Sequence, residues 1–215
     1  MPGKVLADES IIGSILNGYE TRNPYGKKAH RAAIIILTSL IDEHIAAGVA
    51  ATLRSLYNTR HIALIAGGSL RYQAMRAAFP HERNALILDV ARSSTSIALV
   101  RKNLFVAAEE ITEGESNTDA WAAKVTEKLG AIAQHFPLPR TIFFLAQESH
   151  AAALRQALAS SKFGSLWLSE TPPNLVSVLP SHIVGSVRYM ATTPPDLPLL
   201  LMALYWQYRA AKDKL

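Results

Sequence analysis

From residue 84 onward, short runs of apolar and β-branched residues alternate with longer amphipathic segments. The short runs have the length of strands, and the longer segments place apolar residues at helical spacing. Because each of these strands is too apolar to face water, such a chain must pack helices against its sheet. The pattern therefore predicts an α/β domain in which helices lie on a mixed sheet.

The region before residue 70 follows a different order, namely strand, strand, helix, strand. Asn17 and Gly18 suit a turn with positive φ, and Asp42 suits the start of a helix. The change of pattern places a boundary between residues 67 and 83, and we divide the chain into 1–75 and 76–215. Strands are predicted at residues 9–21, 31–41, 61–67, 84–90, 94–103, 104–111, 140–146 and 164–169. Helices are predicted at residues 42–57, 70–79, 115–136, 149–161 and 196–215, and residues 171–195 are predicted as a loop with one short element.

Composition excludes several classes of function. The 215 residues are 49% apolar and 18% charged, which is typical of a folded chain. No cysteine is present, so disulfides and thiolate metal sites are excluded, and the seven histidines show no metal-binding spacing. No apolar run reaches the ~18 residues of a membrane span. The net charge of +5 is spread along the chain without interleaved aromatic residues, so we expect no nucleic-acid site and no metal site.

Residues 84–105, NALILDVARSSTSIALVRKNLF, have the order of a phosphate-binding hairpin. An apolar run ends at Asp89, a turn containing Ser94 and Thr95 follows, and a second apolar run leads away. Phosphate-binding turns favour glycine because backbone N–H groups must approach the oxygens closely. This turn contains no glycine, so the sequence leaves open whether it binds a nucleotide or has lost that function.

Several segments together resemble the actin-like ATPase superfamily, and within it the branch of FtsA-like cell-division proteins and PilM-like type IV pilus proteins. The first segment is similar to the LNGY-x-T…P-x-GK-x-A stretch of the small SHS2-type module in that branch. Its matching residues are Leu16, Asn17, Gly18, Tyr19, Thr21, Pro24, Gly26, Lys27 and Ala29. The resemblance implies an α/β chain made of an α+β SHS2-like module followed by an RNase H-like, actin-type α/β domain.

Three later segments carry the same resemblance, but each lacks glycines that the family has. In the hairpin, Asp89 and Thr95 match the second phosphate loop, whereas Ala91 stands where the family has glycine. Gly114 alone remains of a glycine pair, and AQES at 146–149 replaces a glycine-rich nucleotide turn. If ATP and Mg²⁺ were bound, the resemblance implies contacts from Asp89, Ala91, Ser94, Thr95 and Gly114. We expect instead a degenerate site, no bound cofactor and no enzymatic activity.

The family's first phosphate loop has no counterpart here. We therefore expect the chain to correspond to the later part of such a protein, as a truncated chain, a split-gene product or a reduced paralogue. One alternative is an active ATP-binding fragment of the FtsA/PilM type whose first loop lies on another chain. A second alternative is an FtsA-like filament subunit.

The SHS2-like module implies contact with a partner protein. Family members use it to contact neighbouring subunits or the tail of a membrane-anchored, PilN-like pilus assembly protein. The corresponding surface here is predicted to include Asn17, Tyr19, Tyr25, Lys27 and Lys28, since the tyrosines offer rigid contact area and the lysines attract acidic groups. The resemblance thus implies a cytoplasmic scaffold of pilus or competence assembly, peripheral to the inner membrane through its partner or self-associated.

Overall fold

The computed structural model describes residues 3–21, 24–167, 172–188 and 196–212. The chain divides into two compact units, Met1–Leu70 and Arg71–Leu215. The division falls inside helix α2 (Gly67–Ala78), within the region where the sequence pattern changes.

The first unit is a small antiparallel sheet followed by a helix. Its strands are β1 (Lys4–Leu16), β2 (Tyr19–Glu20) and β3 (Ala32–Asp42), in the order β2-β1-β3. The turn between β1 and β2 has φ angles of 52° at Asn17 and 86° at Gly18, which confirms the predicted positive-φ turn. Helix α1 (Glu43–Tyr57) follows β3 directly and begins after Asp42, as predicted, although the Asp42 side chain makes no capping hydrogen bond.

The strand predicted at residues 61–67 is wrong. Residues 58–66 form no strand, and Gly67 and Gly68 open helix α2 instead of ending a strand. The backbone N–H of Ala66 donates to Oδ2 of Asp8 at 3.0 Å. This N–H is therefore bonded to a side chain and not to the backbone of a neighbouring strand. Apolar content alone therefore overestimated strand formation here, because a strand also needs an adjacent backbone to pair with.

The second unit contains a five-stranded mixed sheet in the order β6-β5-β4-β7-β8. The strands β4 (Ala85–Val90), β5 (Thr95–Arg101) and β6 (Leu104–Ile111) form an antiparallel meander. The strands β7 (Thr141–Leu145) and β8 (Asn174–Ser177) extend the sheet in parallel from β4. This is the predicted α/β architecture, and β4 lies at its centre.

Helices cover both faces of this sheet. On one face α3 (Thr118–Ala133) and α4 (Glu148–Ser160) close a core around Trp121, which is fully buried. On the other face α2 packs through Tyr72 on Phe105, with ring centroids 5.5 Å apart, and Phe79 packs on Phe143. Both faces of the central strand β4 are consequently buried, and its carboxyl end is where side chains can reach a cavity.

The strand predicted at residues 164–169 is also wrong over the described part. Lys162–Leu166 form a 3₁₀ turn in which the N–H of Phe163 donates to the Ser161 hydroxyl, and residues 168 and 169 lie outside the described residues. Between residues 172 and 188 the chain forms β8 and a short helix α5 (Pro180–Val184), two elements where one was predicted. The closing helix α6 (Leu197–Lys212) follows the predicted pattern.

Candidate functional site

A cavity of about 480 Å³ lies in the second unit at the carboxyl ends of β4 and β7. The β4–β5 turn, the start of α4 and the start of α6 complete its walls. Strand β4 pairs in parallel with β7, so the carboxyl ends of both strands open onto this cavity. Open α/β sheets bind ligands in crevices outside the carboxyl ends of their strands, which makes this the candidate site.

The carboxylate of Asp89 at the end of β4 is paired inside the protein. It forms an ion pair with the guanidinium of Arg71, and each side chain is 24% exposed. Burial raises the pKa of Asp89 above its ordinary value, and the nearby Arg71 charge opposes that rise without cancelling it. A cation at this carboxylate would have to displace Arg71, a residue that sequence reasoning did not single out.

The backbone groups of the turn after Asp89 are hydrogen-bonded within the protein. The N–H of Ala91 donates to the carbonyl of Ser94 at 2.9 Å, and Ala91 does not adopt positive φ. The carbonyls of Ala91 and Arg92 accept from the N–H groups of Glu115 and Ser116 at 3.0 and 3.2 Å. Alanine is tolerated in place of glycine because this turn stays in ordinary backbone regions.

Gly114 lies directly against that turn. A β-carbon at Gly114 would overlap the carbonyl oxygen of Ala91 and come within 2.8 Å of the carbonyl carbon of Arg92. Glycine is therefore required here by the close approach of two backbone segments. Gly114 and Ser94 thus lie against Ala91, but of the five residues predicted to contact a nucleotide only Asp89 and Ala91 line the cavity.

Thr95 is buried beneath the same turn. Its hydroxyl donates to the carbonyl of Glu113 at 3.0 Å and accepts from the indole N–H of Trp121 at 2.9 Å. A threonine hydroxyl has a single hydrogen to donate. In this arrangement Thr95 joins β5 to α3 and has no hydrogen left for a phosphate oxygen.

A side-chain carboxylate of the chain itself occupies the start of α4. Oε1 of Glu115 accepts from the backbone N–H of Gln147 at 3.1 Å, and Oε2 pairs with Nδ1 of His150 at 2.9 Å. The Glu115 side chain is only 4% exposed. Helix starts attract anions through free N–H groups and the helix dipole, and here Glu115 supplies that anion.

The charge of the cavity wall is unfavourable for a polyanion. Among the described residues, two guanidinium groups and four carboxylates line it, which gives these groups a formal charge of −2 when all are ionised: Arg71, Arg92, Asp89, Glu115, Glu148 and Asp196. Sequence reasoning missed Glu115 and His150, because their contacts join residues 32 and 35 positions apart and no local motif signals them.

The predicted partner-binding residues lie in the first unit and differ in exposure. Tyr19 and Tyr25 are 79% and 84% exposed. By contrast, the side-chain oxygen of Asn17 accepts from the N–H groups of His30 and Arg31, so this side chain holds the hairpin together. Lys28 is exposed, and Lys27 donates to the hydroxyl of Thr21 at 3.1 Å.

Known proteins resemble this chain in fold and not in sequence. No family model and no curated protein matches the chain. A chain of the PilM-PilN type IV pilus biogenesis complex matches with a TM-score of 0.56 and 16% identity, over 97% of this chain and 67% of that chain. A Bacteroides thetaiotaomicron VPI-5482 protein with an actin-like ATPase fold and unknown function matches with a TM-score of 0.44 and 9% identity, over 74% and 51%. The ethanolamine utilization protein EutJ from Carboxydothermus hydrogenoformans matches with a TM-score of 0.36 and 10% identity, over 80% and 79%.

The chain therefore shares a mixed α/β fold with the chain of the PilM-PilN complex, and the predicted α/β class is confirmed. It spans about two thirds of the PilM-PilN chain and about half of the Bacteroides protein. Among the described residues, no helix combines the length and the hydropathy needed to cross a membrane.

The raised pKa of Asp89 predicts a pH-dependent stability. A carboxyl group with a raised folded-state pKa stabilises the fold fully below its ordinary pKa of 3.8, and this contribution is lost as pH rises through the folded-state value. Asp89→Asn cannot titrate, so we expect its stability relative to the wild type to increase over that rise in pH. Denaturant unfolding of both proteins across the acidic range measures the difference.

Glu127 provides a control of opposite sign. A hydrogen bond from Lys124 lowers the pKa of this exposed carboxyl below its ordinary value of 4.5, so Glu127→Gln should lose relative stability as pH rises toward 4.5. A pH-independent difference for Asp89→Asn, or a slope like that of Glu127→Gln, would show that Arg71 outweighs burial.

Proposed function

We propose that this chain is an actin-like scaffold protein that binds a partner protein and has a degenerate nucleotide site. The observation that carries the proposal is the carboxylate of Glu115 at the start of α4, where it accepts from Gln147 in the cavity wall. A nucleotide phosphate would compete with this carboxylate for the same positive end of the helix. The ion pair at Asp89 and the negative cavity wall support the same conclusion.

The proposed setting is type IV pilus or competence assembly at the cytoplasmic face of the inner membrane. The likeness in fold to a chain of the PilM-PilN complex supports this setting. The proposed partner is the short tail of a membrane-anchored, PilN-like protein, so the chain would reach the membrane through that partner. This role needs an exposed anchor surface and no catalytic side chains.

The first test concerns ATP. Because the Ala91 N–H, the Thr95 hydroxyl hydrogen and the Gln147 N–H at the start of α4 have partners within the chain, we expect no saturable binding of ATP with Mg²⁺ and no hydrolysis. Isothermal calorimetry with the 215-residue chain measures this directly. Micromolar binding that disappears in Asp89→Ala would support the alternative function, an ATP-binding fragment of an FtsA/PilM-type protein, which the cavity at the carboxyl end of β4 favours.

The second test concerns the partner surface. Tyr25 is 84% exposed beside Gly26, whose φ is 70°, so its ring is held outward on a tight turn. Replacing Tyr25 by alanine should weaken binding of a PilN-like tail peptide by more than ~1 kcal/mol with little change in unfolding. Fluorescence titration with labelled tail peptides measures the change.

Tyr57 offers a matched control, because it is 72% exposed in the same unit and lies on α1, outside the predicted surface. Tyr57→Ala should leave the affinity unchanged. Equal losses in both variants, or an unaltered affinity in Tyr25→Ala, would remove the loop between β1 and β3 from the binding surface.

A further inference from the structure

Strand β3 has an unprotected edge. Within the described ranges it is hydrogen-bonded to β1 alone, so its other edge presents free backbone donors and acceptors. The strand runs for 11 residues, contains no proline and has no charged residue before Asp42. Proteins normally protect such edges with charges, prolines or bulges, and a long regular edge pairs readily with another strand.

One face of β3 exposes apolar side chains to solvent. Ile34, Ile36 and Leu40 are each about half exposed or more, and Leu6 and Ile11 of β1 lie opposite Leu40 and Ile36. Together with Thr38, the β3 side chains form a solvent-exposed row from residue 34 to residue 40. A second strand laid against β3 would therefore bring apolar side chains into cross-strand contact as well as pairing backbone groups.

The charges at the two ends of β3 are complementary to each other. Lys28 and Arg31 precede the strand, and Asp42 and Glu43 follow its last apolar residue. In an antiparallel pair of identical strands, the start of each strand meets the end of the other. Such a pair brings the basic start of one copy beside the acidic end of its partner, twice.

We propose that two copies of this chain associate by antiparallel pairing of β3 with β3 about a two-fold axis at Leu37. Leu37 is the midpoint of Ala32–Asp42. This register places Ile34 opposite Leu40 and Arg31 opposite Glu43, and it joins two three-stranded sheets into one of six strands. The proposal goes beyond the proposed function, since partner binding by the loop between β1 and β3 does not require it.

The first experiment measures mass against concentration. Light scattering during size exclusion should show the mass rising from 23.4 kDa toward twice that value as the protein is concentrated. Arg31→Glu and Glu43→Arg should each shift this rise to higher concentration, and the double variant should restore it, because the exchange recreates the pairing. Lys102→Glu, on the turn between β5 and β6, is the control and should behave as the wild type.

The second experiment tests the register. Since the chain has no cysteine, Leu37→Cys introduces a single thiol at the proposed axis, and mild oxidation should link two copies. Ser39→Cys is the control, because in this register the two thiols lie roughly 14 Å apart along the paired strands. Circular dichroism of each variant confirms that it is folded.

Three outcomes would overturn the proposal. They are a single-chain mass at every concentration, association that the charge variants do not alter, and equal linking of the two cysteine variants. None of them bears on the partner titration of Tyr25→Ala, so the two ideas fail separately.

Discussion

Replacing Trp121 by alanine is expected to lower the free energy of unfolding by about 3–5 kcal/mol. The indole is fully buried between α3 and the sheet, with its ring 6.1 Å from that of Phe144. Its N–H donates to the Thr95 hydroxyl, so the change leaves a cavity and also removes a buried hydrogen bond. Chemical denaturation of the wild type and the variant measures the loss.

A second tryptophan provides the control. Trp206 on α6 has the same volume but is 46% exposed, so Trp206→Ala should cost far less. The Trp121 variant should also perturb the turn at residues 91–95, because Thr95 anchors that turn to α3. A loss below ~1.5 kcal/mol would mean that the core closes around the missing ring, or that Trp121 is less buried in solution.

Replacing Gly114 by alanine is expected to cost about 3 kcal/mol, the upper end of the usual range for overpacking. The new β-carbon would meet backbone atoms of Ala91 and Arg92, and backbone cannot rotate aside as a flexible side chain can. The segments must separate, which weakens the hydrogen bonds from Glu115 and Ser116 to the turn. Amide hydrogen exchange at these two residues should accelerate together with the loss of stability.

Gly130 is the matched control for this substitution. It lies within α3, and a β-carbon there would meet only a side-chain atom of Leu166 at 3.8 Å. Gly130→Ala should therefore stabilise the protein by about 0.5–1 kcal/mol, since alanine is the better helix former. If Gly114→Ala behaved like Gly130→Ala, the two backbone segments would not be in close contact.

Much of the candidate site is readable from local sequence. The apolar run ending at Asp89 predicts the end of a central strand, and Ala91, Ser94 and Thr95 follow in one tight turn. What that reading leaves open is whether these groups are available to a ligand. The answer depends on Arg71, Glu113 and Trp121, which approach from α2, the β6–α3 connection and α3.

The two wrong strand predictions have the same origin. Residues 61–67 and 164–169 are apolar enough for strands, but the described parts of both segments find no neighbouring strand to pair with. The first is held instead by a side-chain contact from Asp8, and the second begins in a 3₁₀ turn capped by Ser161. Strand formation depends on a partner elsewhere in the chain, which periodicity does not report.

The sequence by itself determined the long helices α1 to α4 and α6, the strands β1 and β3 to β7 and the positive-φ turn at Asn17, because these depend on neighbours a few residues apart. Only the tertiary structure decided that Glu115 lies at the start of α4 and that Arg71 pairs with Asp89. A carboxylate or hydroxyl can bond to a ligand or to another group of the protein. Which of the two occurs depends on groups that folding brings from distant positions in the sequence. The physical reason is that a buried polar group must find a partner, and local sequence does not identify which partner it finds.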